Sequence, residues 1–232
     1  MSICEKITLE VAQKALEKIR PKIDTEEYWF EILTQDQYVE AFDIMSNHFV
    51  PDEPICRATD VTWDNDFKRM TLDNLKDNIS LAMFSKKTGD MMGLRISGFS
   101  RRSDPPEDFS WMESKHVKDL FVFVTHRDKE IDIFNRYGVD EIFHFFCLGV
   151  RKEYRHHGLG DHLLAAALEM AKELGFTVVK GEGTGNFSQH IYEKHGFETI
   201  MNIPYNSYFI DGKPIGEKTG EHKSFKIYGI RL

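Results

Sequence analysis

The chain has little that would place it outside a reducing, aqueous compartment. Its 232 residues include three cysteines, Cys4, Cys56 and Cys147, widely separated and without metal-like spacing. An odd, unpatterned set offers no disulfide framework and no thiolate cluster, so reduced thiols are expected and no disulfide. No run approaches the roughly 18 apolar residues of a membrane span, and residues 1–20 alternate charge with apolar side chains instead of presenting a secretory core. A cytoplasmic protein with no membrane partner is the expectation. Basic residues are outnumbered, 30 against 38 acidic, for a net charge of −8. That balance disfavours a nucleic-acid partner and favours a small cationic one. Internal repeats, low-complexity tracts and linker-like segments are missing too, which predicts one domain over residues 1–232.

What is present alternates between the two structural periods. Leu9, Ala12, Leu16 and Ile19 form one stripe of a helix over 8–20, with Pro21 as its stop. Residues 28–33 predict a first strand, Thr34 with Gln37 a capping box, and Tyr38, Ala41, Phe42 and Met45 a helical face. Residues 60–78 predict one or two short helices. Two apolar runs, 81–85 and 91–99, flank Lys87-Thr88-Gly89-Asp90 and predict a hairpin in the sheet centre. After a Pro105-Pro106 loop come helical patterns at 113–123 and 131–137, with Gly138 as the C′ residue.

The richest stretch is 142–197. An apolar strand, 142–150, leads through a charged turn into Arg155-His156-His157-Gly158-Leu159-Gly160. Leu163, Leu164, Ala167, Leu168, Ala171 and Leu174 then give a long amphipathic helix that stops at Gly175. A parallel strand over 176–180 follows, because the helix is the crossover of a βαβ unit. A glycine-rich loop is predicted at 181–186, a short helix at 187–194, and antiparallel strands at 200–205 and 225–232 with a turn at Asp211-Gly212. The fold class is a mixed α/β domain.

A glycine turn entering a helix offers unpaired backbone N–H groups and the positive end of the helix dipole, which suit a phosphate. The P-loop is excluded, since Gly160 is followed by Asp161-His162, and the dinucleotide fingerprint lacks its third glycine and its early strand. Adjacent His156 and His157 have no partner spaced for ligation, so no metal is expected. They are expected to be exposed or on the phosphate side. Cys147 in a strand is expected to be a small core residue rather than a nucleophile.

The pattern R-x-x-G-x-G at 155–160, with Tyr192-Glu193-Lys194-His195-Gly196-Phe197 downstream, resembles the acetyl-CoA motif of the GNAT superfamily of N-acetyltransferases. The resemblance implies a mixed central sheet with splayed strands, helices on both faces, and acetyl-CoA as cosubstrate. It assigns cofactor contacts to Leu148, Gly149, Val150, Arg155, His156, His157, Gly158, Leu159, Gly160, Asp161 and Asn186. A closer similarity is to the insect arylalkylamine N-acetyltransferases. It is carried by Asp52-Glu53-Pro54, Ile131-Asp132-Ile133-Phe134, Tyr154-Arg155 and the segment Ser188 through Phe197. There the glutamate before the proline is the general base, which maps to Glu53, and the paired-hydroxyl segment maps to Thr184-Gly185-Asn186-Phe187-Ser188. Tyr192 or Ser188 is the implied donor to the departing sulfur.

This chemistry has a physical logic. An alkylammonium must lose its proton before nitrogen can attack a thioester, and a carboxylate can take it. A backbone N–H near Leu148 would face the developing oxyanion. Dopamine, tyramine and serotonin types lead as substrates. Histamine, a polyamine, or a catalytically weak acyl-CoA-binding relic are the alternatives, and an acidic chain argues against protein N-termini.

Overall fold

Residues 2–232 are described by a computed structural model, with 126–129 described by their backbone alone. The helix α1 (Leu9–Ile23) buries Ala12, Ala15, Leu16, Ile19 and Ile23, and Thr8 caps it by accepting from the Val11 N–H. It does not stop at Pro21. Pro21 and Glu17 are both exposed, so the carbonyl that loses its donor faces water, and one more turn closes with the Asp24 N–H on the Arg20 carbonyl. Next come β1 (Tyr28–Ile32), α2 (Tyr38–Ile44), α3 (Pro54–Ala58) and α4 (Asn65–Leu75). The Thr34–Gln37 capping box forms, and it starts a single 3-10 turn that leads into α2.

The hairpin of β2 (Leu81–Ser85) and β3 (Met91–Arg101) forms around Gly89, whose φ is +81°. After α5 (Lys115–Lys129) and α6 (Ile133–Tyr137), which ends at left-handed Gly138, the chain enters β4 (Glu141–Val150). Then follow α7 (Leu159–Glu173), β5 (Val178–Gly183), α8 (Asn186–Lys194) and β6 (Glu198–Pro204). A small ribbon, β7 (Phe209–Ile210) and β8 (Lys213–Pro214), precedes β9 (Ser224–Arg231). The main sheet runs β1-β2-β3-β4-β5-β9-β6, and β4 with β5 is its parallel pair. β4 therefore takes the centre, and the hairpin lies between it and the β1 edge. The Asp211-Gly212 turn belongs to the ribbon, whereas β6 and β9 pair directly.

One face of the sheet is covered by α1, α7 and α8, the other by α2 to α5. Among the described residues, no helix is long and apolar enough to cross a membrane. The register of β3 against β4 slips between Ile96 and Ser97, leaving Phe146 as a bulge. The bulge changes which residues face α7: Phe143 and Phe145 do so before it, Leu148 and Val150 after it. Beyond Phe145, β4 no longer pairs with β5, since their ladder covers only Phe143–Phe145 against Val179–Gly181. Each strand stays paired on its outer side, β4 with β3 and β5 with β9, and a gap opens between them.

The first half of the predicted glycine loop at 181–186 is strand, since β5 runs to Gly183. Gly181 is there for close packing: a Cβ would lie 2.3 Å from the Tyr192 hydroxyl, and one on Gly183 would meet Tyr228 at 2.8 Å and Gln189 at 2.9 Å. The Tyr192 ring stacks on Tyr228 at 4.8 Å and meets Phe197 edge-on at 5.0 Å, so it has no room to retreat. Gly181→Ala should cost about 2 kcal/mol, typical of an overpacked core. Urea unfolding measures it; an unchanged midpoint would mean that the ring is free to move.

Candidate active site

The turn before α7 is built on two left-handed residues, His156 at φ +66° and Gly158 at φ +74°. At His156 the conformation costs about 1 kcal/mol that a glycine would avoid. At Gly158 a Cβ would meet nothing within 4 Å, so this glycine serves backbone conformation rather than packing. The N–H groups of Asp161 and His162 return to the Gly158 carbonyl, while helix geometry leaves those of Leu159 and Gly160 without an intrahelical acceptor. Both residues line the cleft, and a Cβ on Gly160 would lie 3.5 Å from the Leu148 side chain.

Arg155 does not face that anion site. Its Nε donates to the Val150 carbonyl at 3.0 Å, its Nη1 to Asp52 at 2.7 Å, and its Nη2 to the His48 carbonyl. It ties the loop to the segment before Glu53. Asp161 is likewise engaged: burial pushes its carboxyl up, but Lys194 at 2.8 Å and His195 at 2.9 Å outweigh that and hold it low. The signature at 192–197 thus pins the start of α7 to the end of α8, with Gly196 left-handed at φ +79°.

Glu53 is positioned by an irregular descent from α2. The turn Met45–Phe49 is π-helical, and the N–H groups of Asp52 and Glu53 both return to the Phe49 carbonyl. Pro54 then holds Glu53 extended, at ψ 126°, as the N-cap of α3. Glu53 is only 8% exposed. One carboxylate oxygen accepts from the Cys56 N–H, and the other, Oε1, is buried without a partner. Burial first, then the Glu53 charge, pushes the Cys56 thiol and the Tyr205 hydroxyl well up. Burial also raises Cys147 far above a reactive thiol.

Thr184 and Ser188 line the same cleft as Glu53 and the loop, a cavity of about 860 Å³. The Tyr205 hydroxyl donates to the Thr184 carbonyl at 2.6 Å, and Ser188 Oγ donates to the Gly185 carbonyl at 2.9 Å. Leu148, Val150, Arg155, His156, Gly158, Leu159, Gly160 and Asp161 share this lining. Four expected residues sit elsewhere. Gly149 packs toward Ile44, and His157 is exposed outside the lining. Asn186 turns to the 221–222 loop, its N–H on His222 Nδ1 at 3.1 Å. Tyr192 is 2% exposed under the sheet, where its hydroxyl accepts from Arg95 Nη2 at 2.6 Å. Among the described residues, no cluster of three or more His, Cys, Asp or Glu side chains could hold a metal ion.

Sequence reasoning passed over Arg95, His144 and Glu182, all in the cleft wall. A lone polar residue between apolar neighbours of a strand is the signal that Arg95 and His144 carried, whereas Glu182 lies between two glycines with Lys180 nearby. His144 pairs in register with Lys180, and Glu182 is the next residue of β5 on that face, 2.9 Å from His144 and 2.6 Å from Lys180. Burial pushes Glu182 up, but His144 and Lys180 outweigh it and hold the carboxyl well below the usual range. A carboxyl lowered by folding adds stability above its unfolded pKa, about 4.3, and loses it as the pH falls. Glu182→Gln should lower the melting temperature by roughly 6–12 °C at neutral pH, on about 3 kcal/mol for a broken buried pair. The difference should shrink in acid; equal melting at pH 7 would remove the pair from the stability of the fold.

The GNAT acetyltransferase domain family matches residues 118–199. Among solved structures, arylalkylamine N-acetyltransferase 2 from Aedes aegypti superposes with a TM-score of 0.81 at 26% identity, covering 88% of this chain and 98% of that one. Mosquito arylalkylamine N-acetyltransferase like 5b gives 0.80 at 24% identity, covering 88% of this chain and 100% of that one. A polyamine N-acetyltransferase of Drosophila melanogaster gives 0.76 at 16%, covering 89% and 100%, a likeness of fold. With the family match spanning the anion loop and β5, and the superpositions extending over most of the chain, the protein carries a GNAT acetyltransferase domain and resembles the insect arylalkylamine N-acetyltransferases.

Proposed function

We propose that the chain transfers acetyl from acetyl-CoA directly to the primary amine of a small arylalkylamine, of the dopamine, tyramine or serotonin type. The observation that carries this reading is the unpartnered Oε1 of buried Glu53, in the same cleft as the N-terminus of α7. A buried carboxylate oxygen without a donor is costly, and a substrate ammonium would supply one. Phe49, Phe67, Phe121 and Phe146 line the cleft and suit an aromatic body. The names of the mosquito relatives favour the same substrate class.

In this mechanism Gly158, Leu159 and Gly160 hold the pyrophosphate, and the pantetheine runs along the unpaired edge of β4 to place the thioester near Leu148. Glu53 takes the ammonium proton. Nitrogen attacks the carbonyl carbon, the C–S bond breaks with its electron pair on sulfur, and the second ammonium proton, released as the amide forms, passes to the thiolate. Of the expected hydroxyl donors, Ser188 and Thr184 line the cleft, and Ser188 is our assignment for that proton.

An amine panel with acetyl-CoA, followed by thiol release, tests the reading. Arylalkylamines should outrank histamine and polyamines in kcat/KM, and a silent panel would favour an acyl-CoA-binding relic. Glu53→Gln keeps an acceptor for the Cys56 N–H but removes the base. It should lower kcat about 10²-fold or more with acetyl-CoA affinity unchanged, and a normal rate would exclude Glu53. Gly158→Glu projects a carboxylate into open space at the anion site and should abolish acetyl-CoA binding in calorimetry; retained affinity would displace the site.

A further inference from the structure

Arg95 lies in the middle of β3, opposite Leu148 across the ladder to β4, and is 3% exposed. Its guanidinium stacks over the Phe145 ring at 4.0 Å and donates to the Tyr192 hydroxyl at 2.6 Å. Its Nε is buried without an acceptor. Among the described residues, no carboxylate comes within ion-pair distance of it, although Arg95 borders the cleft. Glu182, the buried carboxylate on β5, is taken by Lys180 and His144. A cation held out of water without a counter-ion is costly and marks a place where an anion is to form or bind. Glu53 is its counterpart of opposite sign, also buried and also with an unpartnered atom. Cys147, on β4 next to Leu148, senses both: Arg95 lowers its pKa and Glu53 raises it, against the larger effect of burial.

We propose that Arg95 is the counter-charge for the CoA sulfur, stabilising the thiolate as the C–S bond breaks. This rests on the acetyl-transfer reading above. The bonding pair goes to sulfur, the acetyl carbon has already bonded to nitrogen, one ammonium proton is on Glu53 and the second, lost as the amide forms, ends on the thiolate, so no oxidant or further reactant is needed. Arg95 acts at the anionic end of the exchange and Glu53 at the cationic end. The hydrogen bond to Tyr192 holds the guanidinium in place and occupies a lone pair of the hydroxyl, which leaves the Tyr192 proton free for another acceptor.

The test compares binding of CoA and desulfo-CoA by calorimetry across about pH 7 to 10, a span centred on the ordinary thiol value of about 8.5. Thiolate absorbance of bound CoA is followed in parallel. In the wild-type protein the preference for CoA over desulfo-CoA should grow with pH, and bound CoA should ionise at least one pH unit below free CoA. Arg95→Met should reduce that preference about tenfold at the alkaline end while leaving desulfo-CoA affinity unchanged, and Arg95→Lys should restore much of it. An Arg95→Met protein with the wild-type preference would overturn the proposal. If that variant fails to fold, a wild-type preference that does not change with pH overturns it equally. Failure of both ligands to bind wild-type protein would instead sink the acetyl-CoA reading itself.

Discussion

The structure depends on the early parting of β4 from β5. Parallel strands that hydrogen-bond over three positions and then separate leave polar backbone on both inner edges, a costly arrangement unless a ligand or water takes those bonds. The outer ladders, β3 with β4 and β5 with β9, hold the two halves apart. The bulge at Phe146 adds local twist and turns Leu148 toward the start of α7. The glycine turn before α7 and the cleft wall both border that one opening.

Across the opening the chain binds distant segments with charge. Arg155 joins the loop to Asp52 and the His48 carbonyl, which sets the cofactor end against the Glu53 end. Asp161 joins α7 to α8 through Lys194 and His195. These groups are matched within the protein and serve as struts. Glu53 Oε1 and Arg95 Nε are not matched, and both are buried. That contrast separates charges satisfied within the protein from two buried groups that each keep an unpartnered atom.

Much of the frame was legible in residue order. The periods of α1 and α7, the capping box at Thr34, the Gly89 hairpin and the Gly138 stop all depend on local backbone preferences, and all are found. Errors arose where long-range packing overrode them. Gly181 and Gly183 read as a loop because glycine is usually a turn residue, yet here they admit Tyr192 and Tyr228 to a strand. Pro21 read as a stop, but the carbonyl it orphans is solvated, so the helix continues.

The site divides in the same way. Local order alone settles the glycine turn at the start of α7 and the extended Glu53 before Pro54, because each is written in two or three adjacent residues and their φ and ψ limits. It could not say that Arg155 turns away from the anion site, that Asn186 docks on His222, or that Tyr192 lies beneath the sheet on Arg95. Those are contacts between residues 36 to 103 positions apart, and the register of the sheet decides them. The pairing of His144 with Lys180, the distance of Arg95 from every carboxylate among the described residues and the burial of Glu53 belong to that register as well. They arise because a one-residue bulge selects which side chains share a face.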